Sequence, residues 1–373
     1  MENQMFYRPT KAVINLEAIK ENVKSFKKYL GNKTSIIAVV KADGYGHGDV
    51  ESARAALGAG ATMVSVATPD EAVRLRRHGI SGDILVMAPS PVSFATTAAE
   101  LGITVAVSGV EWIEAILHEQ FKTPLKIHIK IDCGMGRSGL VEENALQAIV
   151  ELVEQSEQVI IDGVFTQFSC ADDGHRSKTE IQYEVFSKFL DMFPKKPRLI
   201  HASNSAATFL YPEFGLDAVR VGIAMYGIAP SEFVAKRLPF PLKRSLGIES
   251  ELALVRKLKK DSTISYGATY KAAEDEWIGT IPIGYADGLR RGLRGQEVLI
   301  GGERMPIVGT ICMDQCMVRL SREMAVGEKG VLIGKQGDEE IEIEEWAERL
   351  GTIPYEIAVS FAGRVPRIYM AKS

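Results

Sequence analysis

Cysteine is scarce in this 373-residue chain: Cys133, Cys170, Cys312 and Cys316 are the whole complement, and none is spaced C-x-x-C. That spacing offers neither a disulfide framework nor a zinc site, and suits reduced thiols in the cytoplasm. The six histidines lack H-x-H and H-E-x-x-H spacing, which removes the ligands of a metallohydrolase. No apolar run approaches the length of a membrane span, and MENQMFYRPTKAVINL contains no signal-peptide core. Strong charge of either sign is absent too. A net charge of −4 argues against a nucleic-acid or anionic-membrane surface, so RRGLR at 290–294 reads as a solvated loop.

What is present is an ordinary globular balance, 46% hydrophobic and 25% charged, with length for one large domain and a smaller one. After AVINLEAIKENVKSFKKYL, a strand and an amphipathic helix, eight apolar strand candidates recur, each followed by a helical stretch. They are SIIAVVKA (35–42), TMVSVA (62–67), DILVMA (83–88), ITVAV (103–107), LKIHIKID (125–132), VIIDGVFTQF (159–168), RLIHAS (198–203) and DAVRVGIAMYG (217–227). Asp, Ser and Thr caps open several of the helices. The pattern predicts a (β/α)8 barrel over 11–240, though a doubly wound open sheet would read similarly. From 241 to 373 the texture changes to strands with tight turns, including EIEIEEW and a final IPYEIAVSFAGRVPRIYM. This predicts a mainly antiparallel β domain, with residues 1–10 free to pack against it.

The apolar run at 36–40 ends in Lys41 and then in ADGYGHG. A lysine at the carboxyl end of a buried strand loses charge on desolvation and becomes a competent amine for a Schiff base. The glycines that follow allow close backbone approach to a ligand. Period two then sorts the other strands. In KIHIKID the isoleucines 127, 129 and 131 face the helices, so His128, Lys130 and Asp132 point inward; in AVRVG, Arg220 and Gly222 do. Three inward cations, Lys41, Lys130 and Arg220, require an anionic ligand, a modified lysine or a neutral one, unless Lys130 simply pairs with Asp132. Asn204 and Ser205 open a helix, and Gly222 and Ile223 follow the eighth strand. These two loops form a phosphate cradle of the kind barrels carry.

The stretches AVVKADGYGHG, KIDCGMGRSG, HASNSAAT, VRVGIAMYG, ISYGATY, IPIGYADG, ICMDQ and IPYEI, in this order and spacing, resemble the bacterial alanine racemases from about residue 8 to residue 370. The resemblance implies a cytoplasmic pyridoxal 5'-phosphate enzyme of the barrel class, a head-to-tail homodimer whose active sites are each completed by the partner's β domain. It implies that Lys41 holds the cofactor as an internal aldimine and then acts as one base, with the partner subunit's Tyr266 as the second. Tyr45, Ser205, Gly222, Ile223 and Tyr355 match phosphate-binding positions, and Arg220 the position facing the pyridine nitrogen. Arg137 and Met313 match positions that handle the substrate carboxylate. Lys130 matches a lysine that is often carbamylated, a change that makes a cation into an anion able to fix Arg137. The implied activity interconverts L- and D-alanine and supplies D-alanine for peptidoglycan.

Racemisation needs an electron sink, which the cofactor ring provides, and two bases on opposite faces. Tyrosine at its reference pKa of about 10 is a poor base at pH 7, by roughly 4 kcal/mol, so a nearby cation such as Arg220 is needed to tune it. An arginine facing the ring nitrogen also leaves the carbanion less stabilised and less open to side reactions. Two departures from the family stand out. Gln167 replaces the histidine of its usual THF, and Thr310 stands where arginine is common. Both bear on rate and substrate range more than on reaction type. A serine or broad-specificity racemase shares every motif. A pyridoxal-phosphate carrier protein uses a similar barrel but lacks the β domain bearing Tyr266 and Met313. A decarboxylase of this class pairs the ring nitrogen with a carboxylate, against Arg220, and a carbamyl-lysine metallohydrolase needs the missing histidine pair.

Overall fold

The eight apolar segments close into a parallel barrel, in the computed structural model, which describes residues 6–370. Its strands are Ser35–Val39, Met63–Val66, Asp83–Val86, Ile103–Val107, Leu125–Lys130, Val159–Phe165, Leu199–His201 and Ala218–Val221. Ile37 pairs with Met63 on one side and Arg220 on the other, so the last strand closes on the first. Strands buried on both faces are rich in valine and isoleucine, which is why these runs were readable as strands. Ile37, Met63, Leu85, Leu199 and Ala218 pack together as a buried cluster. The helices alternate with the strands, and Pro69–Arg77 shows how sharply the sequence starts one. Thr68 and Glu71 form a reciprocal capping box, with proline in the first turn.

The chain divides into two compact units. One comprises Ala18–Gly44 and Asp49–Arg244; the other joins the segment ending at Glu17, Tyr45–Gly48, and the segment from Ser245 onward. The second unit contains a mostly antiparallel ten-stranded sheet. The strand Lys11–Asn15 belongs to it and not to the barrel, lying between Leu246–Glu251 and Arg367–Met370. Arg8 anchors the approach to this strand by donating to Oδ2 of buried Asp287 at 2.9 Å and forming an ion pair with its Oδ1 at 2.8 Å.

Two segments expected as strands differ. EIEIEEW is a short strand, Glu339–Ile341, followed by the helix Ile343–Leu350, and IPYEI opens the helix Pro354–Val359. A capping box between Glu342 and Glu345 starts the first helix, and proline at the start of the second favours helix over sheet. Among the described residues, no helix is long and apolar enough to cross a membrane.

Candidate active site

Two residues beyond Val39, Lys41 opens a left-handed turn. Ala42, Asp43, Gly44, Tyr45 and Gly46 have φ of 54°, 53°, 61°, 51° and 81°. Three of these five carry side chains that disfavour this conformation, so tertiary bonds must impose it. Glu71 imposes it from the barrel: Oε1 accepts the Ala42 amide at 2.7 Å, while Oε2 accepts those of Ala67 and Thr68 at 2.8 and 3.1 Å. Arg74 adds an ion pair to Asp43 at 3.7 Å and grips Asp49 at 2.8 and 2.6 Å. Sequence reasoning missed Glu71, although the T-x-x-E signature at 68–71 was its visible signal. Packing alone already requires two of the glycines. A Cβ on Gly46 would stand 2.1 Å from the Ala358 carbonyl oxygen, and one on Gly48 1.9 Å from Tyr369 Oη.

A cavity of about 380 Å³ opens at the carboxyl ends of the barrel strands, lined by Lys41, Lys130, Arg137, Ser138, Phe165 and Gln167 among others, with three cations and no carboxylate. Burial lowers the Lys41 pKa, and Arg137 and Arg220 add to that against the opposing pull of Glu71. Lys130 donates to Ser138 Oγ at 2.6 Å. Burial first, then Arg137 and Arg220, push its pKa down to about 8. The expected alternative, a Lys130–Asp132 pair, does not form. Asp132 is occupied by backbone: Oδ1 accepts the amides of Gly134, Met135 and Gly136 at 2.9, 2.8 and 3.1 Å, and Oδ2 that of Arg137 at 2.9 Å. Although burial pushes the other way, these four bonds hold the carboxyl below its usual range. The loop that presents Arg137 and Ser138 is thereby tied to the end of its strand.

Arg220 is fully buried, and every acceptor it meets is neutral. Its Nη2 donates to Thr166 O at 2.7 Å, Ala202 O at 2.8 Å and Gln167 Oε1 at 3.0 Å, and its Nη1 to His201 Nδ1 at 2.7 Å. Burial and Arg137 push its pKa down to about 9, leaving it charged at neutral pH. The Phe165 ring lies 5.4 Å from Arg220 Cζ and 5.7 Å from Lys130 Nζ, and a π-face is a favourable neighbour for both cations.

From Arg220 a buried chain runs inward through the barrel, and sequence reasoning found only the inward direction of His128. His201 Nε2 meets His128 Nδ1 at 3.0 Å, and His128 Nε2 faces Asp162 Oδ2 at 3.5 Å, longer than a normal hydrogen bond. Asp162 is gripped at both oxygens by Arg198, at 2.8 and 2.6 Å. Gly163 makes room, since a Cβ there would meet the His128 ring at 2.6 Å. An arginine only donates and a carboxylate only accepts, so the two ends dictate the tautomers: both imidazoles are neutral, with the proton on Nε2. Burial lowers both histidine pKa values, consistent with neutral rings.

The remaining candidates fall into three groups. In the barrel unit Ser205 Oγ accepts the Gly222 amide at 3.0 Å, tying together the loops that carry Ser205, Gly222 and Ile223 and leaving the serine proton to be donated elsewhere. In the other unit Tyr45 and Tyr355 place their rings 6.1 Å apart. Burial raises the Tyr45 pKa, so its hydroxyl stays a donor. Also in that unit, Tyr266 and Met313 sit on loops joined by hydrogen bonds, and both are exposed, at 74% and 52%.

Comparison with known proteins follows this geometry across the chain. The family model for the alanine racemase N-terminal domain matches residues 14–230, and that for the C-terminal domain residues 245–369. The chain is 45% identical to an alanine racemase of Anoxybacillus flavithermus over 368 residues, covering 98% of this chain and 96% of that one. It is similar to the crystal structure of alanine racemase from Bacillus anthracis with bound L-Ala-P, at a TM-score of 0.95, 42% identity, and coverage of 98% and 96%. It is also similar to a histidine racemase from Leuconostoc mesenteroides, at a TM-score of 0.93, 31% identity, and coverage of 98% and 99%.

Proposed function

This chain belongs to the alanine racemase family, and on that premise we propose that it interconverts L- and D-alanine by moving the α-proton between two bases, Lys41 and Tyr266. The observation that carries the reading is the cation-lined cavity with a desolvated lysine and no carboxylate. Such a lining fits an anionic, aldehyde-bearing cofactor, pyridoxal 5'-phosphate, because it offers an amine for the aldehyde and a positive field for the group's net negative charge. The cavity's size suits a ligand of that class. Lys41 would hold the cofactor covalently, with Tyr45, Ser205, Gly222, Ile223 and Tyr355 on its phosphate and Arg220 at its ring nitrogen. When bound, it supplies the electron sink that makes the α-proton removable.

The chain's own groups then divide the work. Lys41, with its charge disfavoured by burial and by Arg137, presents an amine lone pair able to take a proton and return it. Tyr266, exposed on the second unit, acts as the opposite base by reaching into the site of a second copy, so that the working form is a homodimer with composite sites. Arg137 and Met313 receive the substrate carboxylate. Arg220, desolvated and without a carboxylate partner, supplies the positive field that favours an ionised tyrosine. Lys130, its pKa near 8, has a neutral amine available for carbon dioxide. Forming the N–C bond and releasing a proton leaves a carbamate whose negative charge would fix Arg137.

The product fits a cytoplasmic supply of D-alanine for peptidoglycan. A broad-specificity racemase remains the second reading, favoured by the likeness to a histidine racemase and by Gln167 and Thr310. The deciding experiment incubates the cofactor-loaded protein with L-alanine and follows the D to L ratio. A ratio climbing to one upholds the proposal; untouched L-alanine with turnover of serine or histidine replaces it with the second reading.

A further inference from the structure

The turn that carries Tyr266 is strained and thinly paired. Its ribbon has two residue pairs, Thr263 with Lys271 and Ile264 with Tyr270. Beyond them Ser265, Gly267 and Ala268 have φ of 65°, 75° and 47°, and for serine and alanine such values persist only where surrounding bonds enforce them. Within its own subunit the tyrosine side chain is 74% exposed, so packing there does little to set its direction. The direction in which it leaves its own subunit is set at its backbone.

One residue from another connection supplies the restraint. Thr310 Oγ1 donates to the Tyr266 carbonyl at 2.9 Å, and Ser265 Oγ donates to the Thr310 carbonyl at 2.5 Å. Thr269 Oγ1 lies 3.2 Å from Thr310 Oγ1. With its proton committed to Tyr266, Thr310 is the acceptor there and Thr269 the donor. Gly309 brings this connection close, since a Cβ on it would meet the Ile264 carbonyl oxygen at 3.0 Å and Ser265 Cβ at 3.1 Å. Thr310 thus touches Ser265, Tyr266 and Thr269, which brackets the strained turn.

We propose that Thr310 is a positioning residue for Tyr266, its hydroxyl holding the turn in the conformation from which the phenol meets the substrate α-carbon. The inference rests on the reading of Tyr266 as a base. Thr310→Val keeps the shape and removes the hydroxyl, whereas Thr310→Ser keeps it. In the cofactor-loaded enzyme Thr310→Val should lower kcat about tenfold, the factor that one ordinary hydrogen bond represents, with KM little changed. Enantiomers have an equilibrium constant of one, so kcat/KM falls equally in both directions and does not say which base has moved. The α-deuterium isotope effect does: it should rise in the direction in which Tyr266 takes the proton and not in the other. Amide hydrogen exchange over residues 263–271 should quicken, and Thr310→Ser should restore both readouts.

Unchanged isotope effects and exchange in Thr310→Val, beside an inactive Tyr266→Phe, overturn the role of Thr310 and leave Tyr266 standing as the base. Failure of Thr310→Ser to restore them also overturns it, since the hydroxyl is then not the agent. Full activity in Tyr266→Phe removes the base itself, and with it anything for Thr310 to position.

Discussion

Replacing Asp132 by asparagine changes neither size nor shape, but it removes a charge and turns one acceptor oxygen into a donor. In the native loop one oxygen takes three amides and the other takes that of Arg137. An asparagine can offer its oxygen to the three or to the one, and in the better orientation its NH2 confronts the Arg137 N–H. Four charge-assisted bonds become three neutral ones, a nominal loss of several kcal/mol, since the charged kind is worth about 1.5–3 kcal/mol and the neutral about 1. Much of that is screened because the carboxylate is only partly buried, and freed amides can turn to water. About 2 kcal/mol should survive, a factor of roughly 30 in the population of loops that present Arg137. The expected outcome for Asp132→Asn is a KM for alanine raised by roughly 10- to 30-fold, a smaller loss in kcat, and little change in thermal stability, because the loop opens locally. Steady-state racemisation and a melting curve measure all three. The folded pKa of Asp132 is depressed, so its contribution is complete above the ordinary aspartate value and is lost only as pH falls through the folded one. The penalty should therefore be constant from neutral pH down to about 5. An unchanged KM refutes the reasoning, and so does a joint collapse of KM and stability, which would make the loop a determinant of the fold.

Glu71→Ala releases the Ala42, Ala67 and Thr68 amides together, and should cut the rate at least tenfold and slow capture of pyridoxal phosphate, read from visible absorbance, while the barrel still folds. Asp162→Leu removes one of the two ends that favour the Nε2–H tautomers and leaves Arg220 at the other. Nitrogen-15 histidine spectra should show both buried rings neutral and Nε2–H in the native protein and still so in the variant, because the Arg220 donation alone fixes the order of the chain; a tautomer mixture in the variant would show that Asp162 is needed as well. Burial opposes the Asp162 carboxylate, but the Arg198 and His128 contacts outweigh it and hold its pKa below the usual range. Its stabilising contribution is therefore present at neutral pH and lost as pH falls through the folded value. Gln167→His adds a titratable group against Arg220, 3.0 Å from the present amide oxygen, and should shift the pH–rate profile. An unchanged profile would make the position irrelevant to tuning.

The parts of this molecule that could be read from its sequence are those whose cause is local. Each barrel strand announced itself because burial on both faces demands an unbroken β-branched run, and parity along KIHIKID and AVRVG then sent His128, Lys130 and Arg220 inward. EIEIEEW misled because alternation over four residues is also compatible with the entry to a helix; Glu342 and Glu345, three apart, carried the better signal. The left-handed turn after Lys41 was invisible for a different reason. Nothing in Ala42 or Asp43 prefers positive φ, and the groups that impose it, Glu71 and Arg74, lie on a helix about thirty residues downstream. Asp162 did leave a mark, a lone acid inside VIIDGVF, but its meaning depends on Arg198, His128 and His201 from two other strands and a loop. The same distinction explains why Thr310 reads in sequence only as a departure from the family. A hydroxyl that donates to the backbone of a residue 44 positions away has no periodicity to betray it, and its significance exists only once the fold has put Gly309 against Ile264. The residues proposed to do chemistry in this chain carry unusual side chains in unusual places and can be suspected from sequence. Those proposed to aim them are ordinary side chains whose partners are chosen by topology.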